Sequence, residues 1–230
     1  MKFILATVVA LLISAPCFAA SVPRAADDLE SVLAQMDKAA PGFKSVQADC
    51  QWEEYHKAFD VKSFQQGQFY SRRNGNNLEA AIKIVAPAPR QIVFKDGKVR
   101  IYEPRMDQER VEDLGNNQSA LESYLSLGFG GSGSDLAKSY DIRLSGWETV
   151  DSVKTAMLEL VAKSSKVRDT FTKIVVWIDL QRDVALKQQL FEPSGDYRLI
   201  HYTNLKVNGR LPDTAFKIQK VSQGKDKGKR

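Results

Sequence analysis

The chain has 230 residues, a net charge of +5 and 43% hydrophobic residues. The length fits one large domain or two small ones, and we favour one because no low-complexity stretch divides the chain internally. A net +3 of the charge comes from residues 222–230, where four basic residues accompany a single Asp226. The remainder is almost neutral, which excludes a broad basic face for nucleic acid. We expect the tail to be a solvated, disordered end, with weak attraction to anionic headgroups as the alternative.

The first twenty residues have the pattern of a secretory signal peptide. Lys2 precedes the apolar run 3–12, and small residues close the segment at Ala19. Cleavage after Ala19 is therefore predicted, which leaves one exported domain over residues 20–221 followed by the basic tail. The apolar run is too short to span a bilayer. Lipid attachment at Cys17 is the competing interpretation, but the residues before it do not form a lipobox.

The first element after this segment is predicted to be an amphipathic helix over residues 26–39. Its apolar residues recur at the three-four spacing of one helical face and are Leu29, Val32, Leu33, Met36 and Ala40. Pro41-Gly42 ends the helix, and period-two alternation follows. This alternation predicts strands over residues 43–56, 64–73, 78–86, 91–94 and 99–102. The Asp96-Gly97 turn joins the last two strands as a hairpin.

A second helix is predicted over residues 118–127, where Leu121, Tyr124 and Leu125 share a face. The glycine-dense stretch 128–134 follows, and its composition predicts a mobile hinge or the border of a lid, with residues 131–134 as a linker. Five further strands are predicted over residues 139–144, 155–162, 171–180, 185–191 and 197–207. Ten mainly sequential strands with few helices predict an α+β fold, in which an antiparallel sheet curls into a barrel or half-barrel.

Alternation also places small and apolar side chains on one face of the early strands. The members of this face in the first three strands are Val46, Ala48, Cys50, Trp52, Phe69, Ser71, Leu78, Ala80, Ile82 and Ile84. The small members would leave space inside a barrel, so the pattern fits an apolar cavity and equally a core filled by helices. Cys50 is the one cysteine left after cleavage, and we interpret it as a buried strand residue rather than a nucleophile.

No arrangement of residues in the sequence points to a reaction. Neither His56 nor His201 lies in a metal-binding motif, so we predict no metal and no other cofactor. Gly131-Ser132-Gly133-Ser134 lies in the glycine-dense stretch, whereas the nucleophile of a serine hydrolase would lie between a strand and a helix. Adjacent carboxylates such as Glu53-Glu54 are typical of solvated charges. We therefore predict a protein that is not an enzyme.

Arg73 continues the apolar series of the second strand, which would bring a guanidinium to the apolar face. Such a group needs backbone carbonyls, a carboxylate or water as its partners. From the residues alone we favour the alternative, in which Arg72 and Arg73 have left the sheet and are solvated in a turn.

Several short motifs follow one another along the chain. They are Val46-Gln47-Ala48-Asp49 after Phe43, Gly67-Gln68-Phe69-Tyr70 before two arginines, the Asp96-Gly97-Lys98 hairpin with Tyr102 and Pro104, Trp177-Ile178-Asp179, and the closing segments 204–208 and 211–216. In their order and spacing, these motifs resemble LolA and its relatives, the soluble carriers of outer-membrane lipoproteins. The resemblance covers nearly the whole mature chain. It implies an incomplete, half-open antiparallel β-barrel covered by a few α-helices, which form a lid over an apolar cavity.

The same resemblance assigns roles to individual residues. Arg73 matches an arginine that latches the lid in that family, and the lid itself is expected to carry Leu121, Tyr124, Leu125 and Phe129. The acyl cavity would be lined by Val46, Ala48, Cys50, Trp52, Phe69, Ser71, Leu78, Ala80, Ile82, Ile84, Ile92, Phe94 and Ile101. Asn74 and Ile101 depart from the family pattern, in which a proline and an aromatic residue are usual.

The function implied by the resemblance is that of a periplasmic carrier, which binds the acyl chains of lipoproteins and ferries them from the inner to the outer membrane. The expected partners are acylated lipoproteins or lipids, an inner-membrane releasing transporter and an outer-membrane acceptor. We also expect a monomer that contacts membranes transiently and binds no nucleic acid. The alternative is a non-catalytic lipid carrier, or a sensor of lipoproteins or envelope stress, built on the same fold.

Overall fold

Eleven antiparallel strands form one sheet that does not close into a barrel, in the computed structural model of the protein. The structure describes residues 25–75, 77–115, 122 and 125–220. The strands are β1 Ser45–His56, β2 Val61–Asn74, β3 Asn77–Ala86, β4 Arg90–Lys95, β5 Lys98–Glu103, β6 Gln108–Asp113, β7 Tyr140–Val150, β8 Val153–Ala162, β9 Lys173–Asp179, β10 Val184–Phe191 and β11 Tyr197–Val207. Their order across the sheet is β6-β5-β4-β3-β2-β1-β11-β10-β9-β8-β7, so β6 and β7 are its edges.

Few helices accompany this sheet in the described residues. Helix α1 spans Ala25–Ala39, α2 spans Gly133–Ser139 and the short α3 spans Ser165–Arg168, with 3-10 turns at Ala40–Gly42 and Asp213–Phe216. The fold class predicted from the sequence, an α+β protein with an open antiparallel barrel, is confirmed. In the part of the chain that the structure describes, no helix is long and apolar enough to cross a membrane.

The ten predicted strands are all present, although several bounds shift and β7 continues to Val150. The prediction misses β6, because its sequence contains one apolar residue, Val111, whose side chain is 54% exposed. An edge strand has one neighbour and needs no buried face, so its hydrophobic pattern is weak. The predicted helix over residues 118–127 falls largely outside the described residues.

The main hydrophobic core lies on one face of the sheet, which we call the inner face. Leu158, Val176 and Ile178 of β8 and β9 are each no more than 1% exposed on this face. Helix α1 covers the same core with Val32 and Met36, at the spacing that the sequence predicts.

A second, smaller core lies on the opposite, outer face, where residues 211–220 run over β2 to β4. Leu211, Ala215 and Phe216 of this segment pack against Tyr70, Ala81 and Val93, which are paired neighbours across the three strands. The end of the described chain is therefore fixed to the sheet, and it covers the face that α1 leaves open.

The prediction of a linker over residues 131–134 is wrong, because helix α2 begins at Gly133. The hinge or lid border predicted over residues 128–134 stays a prediction. Ser132 is the N-cap of α2 and accepts a hydrogen bond of 3.1 Å from the backbone nitrogen of Asp135. A side chain at Gly130 would collide with the ring of Phe43, and one at Gly133 would collide with the backbone of Leu33. These glycines permit close packing, which composition does not distinguish from flexibility.

Candidate functional site

The register of β1 to β5 places the proposed cavity residues on the inner face. Val46 is paired with Ser71, and Ser71 is paired in turn with Ala80. Ala48 is paired with Phe69 in the same way. The whole set that shares this face is Val46, Ala48, Cys50, Trp52, Phe69, Ser71, Leu78, Ala80, Ile82, Ile84, Ile92, Phe94 and Ile101. The alternation read from the sequence is therefore the alternation of the folded sheet.

These residues are buried to different extents. Those near the centre of the sheet, such as Val46 and Phe69, are buried, whereas Trp52, Ile82, Ile92 and Ile101 are only partly buried. Strands β1 to β5 thus combine small buried side chains with larger ones that are incompletely covered. This part of the inner face is less completely covered than Leu158, Val176 and Ile178 of β8 and β9.

Cys50 is buried on the inner face, 2% exposed, which confirms its assignment as a buried strand residue. Burial and the neighbouring Asp49 raise the pKa of the Cys50 thiol well above its usual range. The thiolate is the reactive form of cysteine, so this thiol is a poor nucleophile and acts as a small apolar side chain.

Phe129 sits on the inner face between two aromatic rings, those of Phe69 and Tyr202, at centroid distances of 4.8 and 5.0 Å. The side chain is 1% exposed and its backbone forms an isolated bridge with Val184. Aromatic pairs at these separations are stabilising beyond the area that they bury. Phe129 therefore covers the proposed cavity residues at the centre of the sheet.

The chain on either side of Phe129 is tied to β10 by hydrogen bonds. The backbone nitrogen of Ala185 donates to the carbonyl of Gly128 at 2.6 Å, and the side-chain amide of Gln188 donates to the carbonyl of Leu127 at 2.6 Å. Tyr202 donates to the other end of the Gln188 amide at 2.9 Å. We call residues 125–131 the covering segment; its contacts join it to the β10 side of the sheet.

Arg73 joins the covering segment to the other side of the sheet. Its guanidinium donates to the carbonyl of Gly130 at 2.9 Å, and its backbone nitrogen donates to the carbonyl of Lys44. The interpretation that both arginines lie in a solvated turn is wrong, because Arg73 is within β2 and paired with Leu78. The side chain is nevertheless exposed, so solvent reaches the guanidinium.

The other proposed lid residues are only partly described. Leu125 is half-buried and packs against the main core, together with the fully buried Phe129. Leu121 and Tyr124 lie outside the described residues.

Arg72 points to the outer face and has a role that the sequence reasoning missed. It forms an ion pair of 2.7 Å with Glu79 and another of 2.7 Å with Asp213, and it lies 4.3 Å from the ring centre of Phe216. Burial opposes ionisation of Glu79, but hydrogen bonds from Asn74, Arg72 and Lys95 lower the pKa of its carboxyl. The cross-strand pairing of a basic and an acidic residue was the available indication.

Ser71 presents an unusual polar group beneath the cover. Its hydroxyl is wholly buried and has no hydrogen-bond partner in the described part of the chain. A buried hydroxyl without a partner costs free energy, so the closed arrangement carries a penalty at this position.

Each of the two histidines has one aspartate as its partner. His201 is bonded to Asp151 at 2.7 Å, and His56 lies 3.7 Å from Asp196, both near the surface. Among the described residues, no group of three histidine, cysteine, aspartate or glutamate side chains could hold a metal ion.

Comparison with known proteins gives a family match that spans most of the chain. The family model described as "Outer membrane lipoprotein carrier protein LolA" matches residues 42–219. No curated protein sequence matches significantly.

Solved structures share the fold at low sequence identity. An uncharacterised conserved protein from Thermus thermophilus has a TM-score of 0.54 and 12% identity, covering 85% of this chain and 97% of that one. MucB has a TM-score of 0.53 and 17% identity, covering 84% of this chain and 63% of that one. In the Pseudomonas aeruginosa MucA/MucB complex the values are 0.50 and 16%, covering 84% and 61%. This chain thus spans less than two thirds of MucB.

Proposed function

Because the chain belongs to the LolA family of outer-membrane lipoprotein carrier proteins, we propose that it is a periplasmic carrier that binds the acyl chains of lipoproteins and ferries them from the inner to the outer membrane. The observation that carries this proposal is the gathering of thirteen small and apolar side chains on one half of the inner face. The family is one of binding proteins rather than enzymes, which fits a site without catalytic groups.

The covering segment is the element that would move to admit an acyl chain. Phe129 occupies the centre of the inner face, and Arg73 and Gln188 hold the segment from opposite sides. Withdrawal of this segment would expose Phe69 and the small side chains around it. Acyl chains would then replace Phe129 against the same surface.

Energetics require such a cover. One acyl chain of about fifteen methylenes gains on the order of 12 kcal/mol on burial, at roughly 0.8 kcal/mol per methylene, before any cost. A carrier that held several chains this firmly would not release them. Contacts that form only when the site is empty reduce the net affinity, because they return part of that free energy on release.

The bond from Arg73 to Gly130 is one such contact, and its removal tests the mechanism. A charged donor on a carbonyl contributes about 1 to 2 kcal/mol, so Arg73→Leu should fold normally but release cargo roughly 5- to 30-fold less completely. Transfer of a bound lipoprotein to acceptor membranes measures this effect. Arg210→Leu is the matched control, since Arg210 is exposed and has no recorded partner among the described residues. Normal release by Arg73→Leu would remove Arg73 from the mechanism.

The proposal as a whole is tested with inner-membrane vesicles that contain triacylated lipoproteins and their export machinery. After incubation with the purified protein, native mass spectrometry of the supernatant should detect a soluble one-to-one complex with a lipoprotein. A protein that stays empty, or that carries only free lipid, would contradict lipoprotein transport.

A sensor function is the second candidate, and the likeness to MucB favours it. MucB has been solved both alone and with MucA, so a protein of this fold binds another protein. A sensor would form a stable complex with a protein that lacks acyl chains. The same mass spectrometry with non-acylated lipoprotein variants separates the two functions, because only a sensor of this kind would retain them.

A further inference from the structure

A cleft of about 660 Å³ lies on the outer face, between the β4–β5 hairpin and residues 216–220. Two carboxylates, Asp96 and Glu109, line it together with a larger number of cationic side chains. The five cationic residues are Lys95, Lys98, Arg100, Lys217 and Lys220. We call this site the basic cleft. Its volume is within the range of small-ligand sites, of about 300 to 1,000 Å³.

The positive charges of the basic cleft are only partly neutralised. Glu109 is bonded to Arg100 at 2.8 Å and lies 3.4 Å from Lys220. One negative charge is therefore shared between two positive charges. Lys95 is paired with Glu79 at 3.1 Å. Lys98 and Lys217 are exposed and have no hydrogen bond or ion pair recorded in the described part of the chain. The cleft thus keeps an excess of positive charge.

The floor of the basic cleft is apolar. Val93 and Phe216 are 2% and 1% exposed, and Ile218 packs beside them. Cations around an apolar floor suit a ligand that has an anionic group next to a hydrocarbon portion. A fully hydrated inorganic anion or a strongly charged peptide would use the rim and leave the floor unfilled.

The sequence that follows this site does not supply the missing negative charge. Residues 221–230 contain four basic residues and one acidic residue, which gives a net +3. This segment therefore adds no net negative charge to the chain.

From these observations we propose that the basic cleft docks the protein on membranes by receiving the phosphate headgroup of an anionic phospholipid. Each lysine or arginine near an anionic bilayer adds roughly fivefold to the partition coefficient. The cleft is on the outer face, so docking leaves the inner face and its covering segment free. The inference goes beyond the proposed carrier function and stands on different residues.

Vesicle binding of the purified full chain tests this site. Wild-type protein should sediment with vesicles of phosphatidylcholine and phosphatidylglycerol, but not with vesicles of phosphatidylcholine alone. The double charge reversal Lys98→Glu with Lys217→Glu should lower the partition coefficient on anionic vesicles by about 30-fold or more. The side chain of neither lysine makes a hydrogen bond or ion pair in the described part of the chain, so the fold should be retained, as circular dichroism would verify.

The matched control reverses two exposed lysines away from the cleft, Lys38 in α1 and Lys206 in β11. It changes the net charge by the same amount, and binding should fall by much less than in the cleft variant. Equal losses in both variants would overturn the proposal, since net charge would then suffice. Tighter binding of the wild type to polyglutamate than to anionic vesicles would also overturn it in favour of an acidic protein partner. Cargo uptake by the cleft variant should remain normal, so failure of the carrier function would leave this inference intact.

Discussion

The two halves of the inner face are built from different side chains and are covered differently. The half formed by β8 to β10 carries bulky aliphatic residues such as Leu158 and Ile178, which are fully buried in the main core to which α1 also contributes. The half formed by β2 to β5 carries small residues in the centre and half-buried isoleucines, Ile82, Ile92 and Ile101, toward its edge. One half is closely packed, and the other is less completely covered.

This difference separates a closely packed region from a loosely covered one within a single sheet. A well-packed core resists deformation, whereas a loosely covered apolar surface admits other occupants at low cost. The covering segment lies between the halves, bonded to β10 on one side and to Arg73 on the other. Movement of that segment would therefore alter the covering of the half formed by β2 to β5, which we call the open half. The packing of the half formed by β8 to β10 would stay intact.

The largest expected effect is the difference in stability loss between one side-chain truncation in each half. Leu158→Ala should lower the free energy of unfolding by about 3 kcal/mol, because it leaves a cavity in a close-packed region. Ile82→Ala should lower it by only about 1 kcal/mol, since Ile82 is already partly exposed. Urea denaturation of both variants measures the difference. Equal losses would show that the two halves are packed alike and would break the comparison.

The second prediction concerns Asp183, which is 4% exposed in the turn between β9 and β10. Burial raises the pKa of its carboxyl from 3.8 to about 6. The folded protein therefore holds a proton that the unfolded chain releases, so this group favours folding below about pH 4, and its contribution is lost as the pH rises through about 6.

Asp183→Asn should remove that pH dependence. The variant should match the wild type near pH 4 and exceed it in stability by about 3 kcal/mol above pH 7, since each pKa unit corresponds to about 1.4 kcal/mol. Thermal unfolding at a series of pH values measures both curves. Parallel curves for the two proteins would mean that the carboxyl is ionised without penalty in the folded state.

The smallest effect sharpens the description of the open half. Ser71→Ala should raise the free energy of unfolding by about 1 kcal/mol, because it removes a buried hydroxyl that has no recorded partner. Ser63→Ala, at an exposed position of the same strand, is the control and should change stability little. A loss of stability in Ser71→Ala would indicate that the hydroxyl is hydrogen-bonded, contrary to its surroundings in the structure.

The sheet could be predicted because side chains alternate with a period of two along each strand. The series Val46, Ala48 and Cys50 required no tertiary information, and its pairing with β2 is regular. The same periodicity would bring Arg73 to the inner face. It could not predict that the hydrogen-bond acceptor of Arg73 is the carbonyl of Gly130, because Gly130 is distant in sequence.

The missed features depend on contacts between remote segments. From the sequence, Gly130 and Gly133 indicate a flexible segment. In the structure they allow Phe43 and Leu33 to pack closely against the backbone, and a glycine permits either flexibility or such close packing. Likewise, the basic cleft joins a hairpin to residues 216–220, and neither part is strongly basic when considered alone. Periodicity describes a strand and its faces, whereas these sites arise from packing.

The adjacent arginines of β2 have a consequence for how the sequence can change. Arg72 holds the C-terminal segment through Asp213, and Arg73 holds the covering segment through Gly130, on opposite sides of one strand. Inserting or deleting one residue upstream of this pair within β2 would exchange their sides and disturb both attachments together. Insertions or deletions in β2 that preserve the fold should therefore span two residues. A single-residue change would have to be absorbed by a bulge, such as the irregularity already present between Gln66 and Gly67.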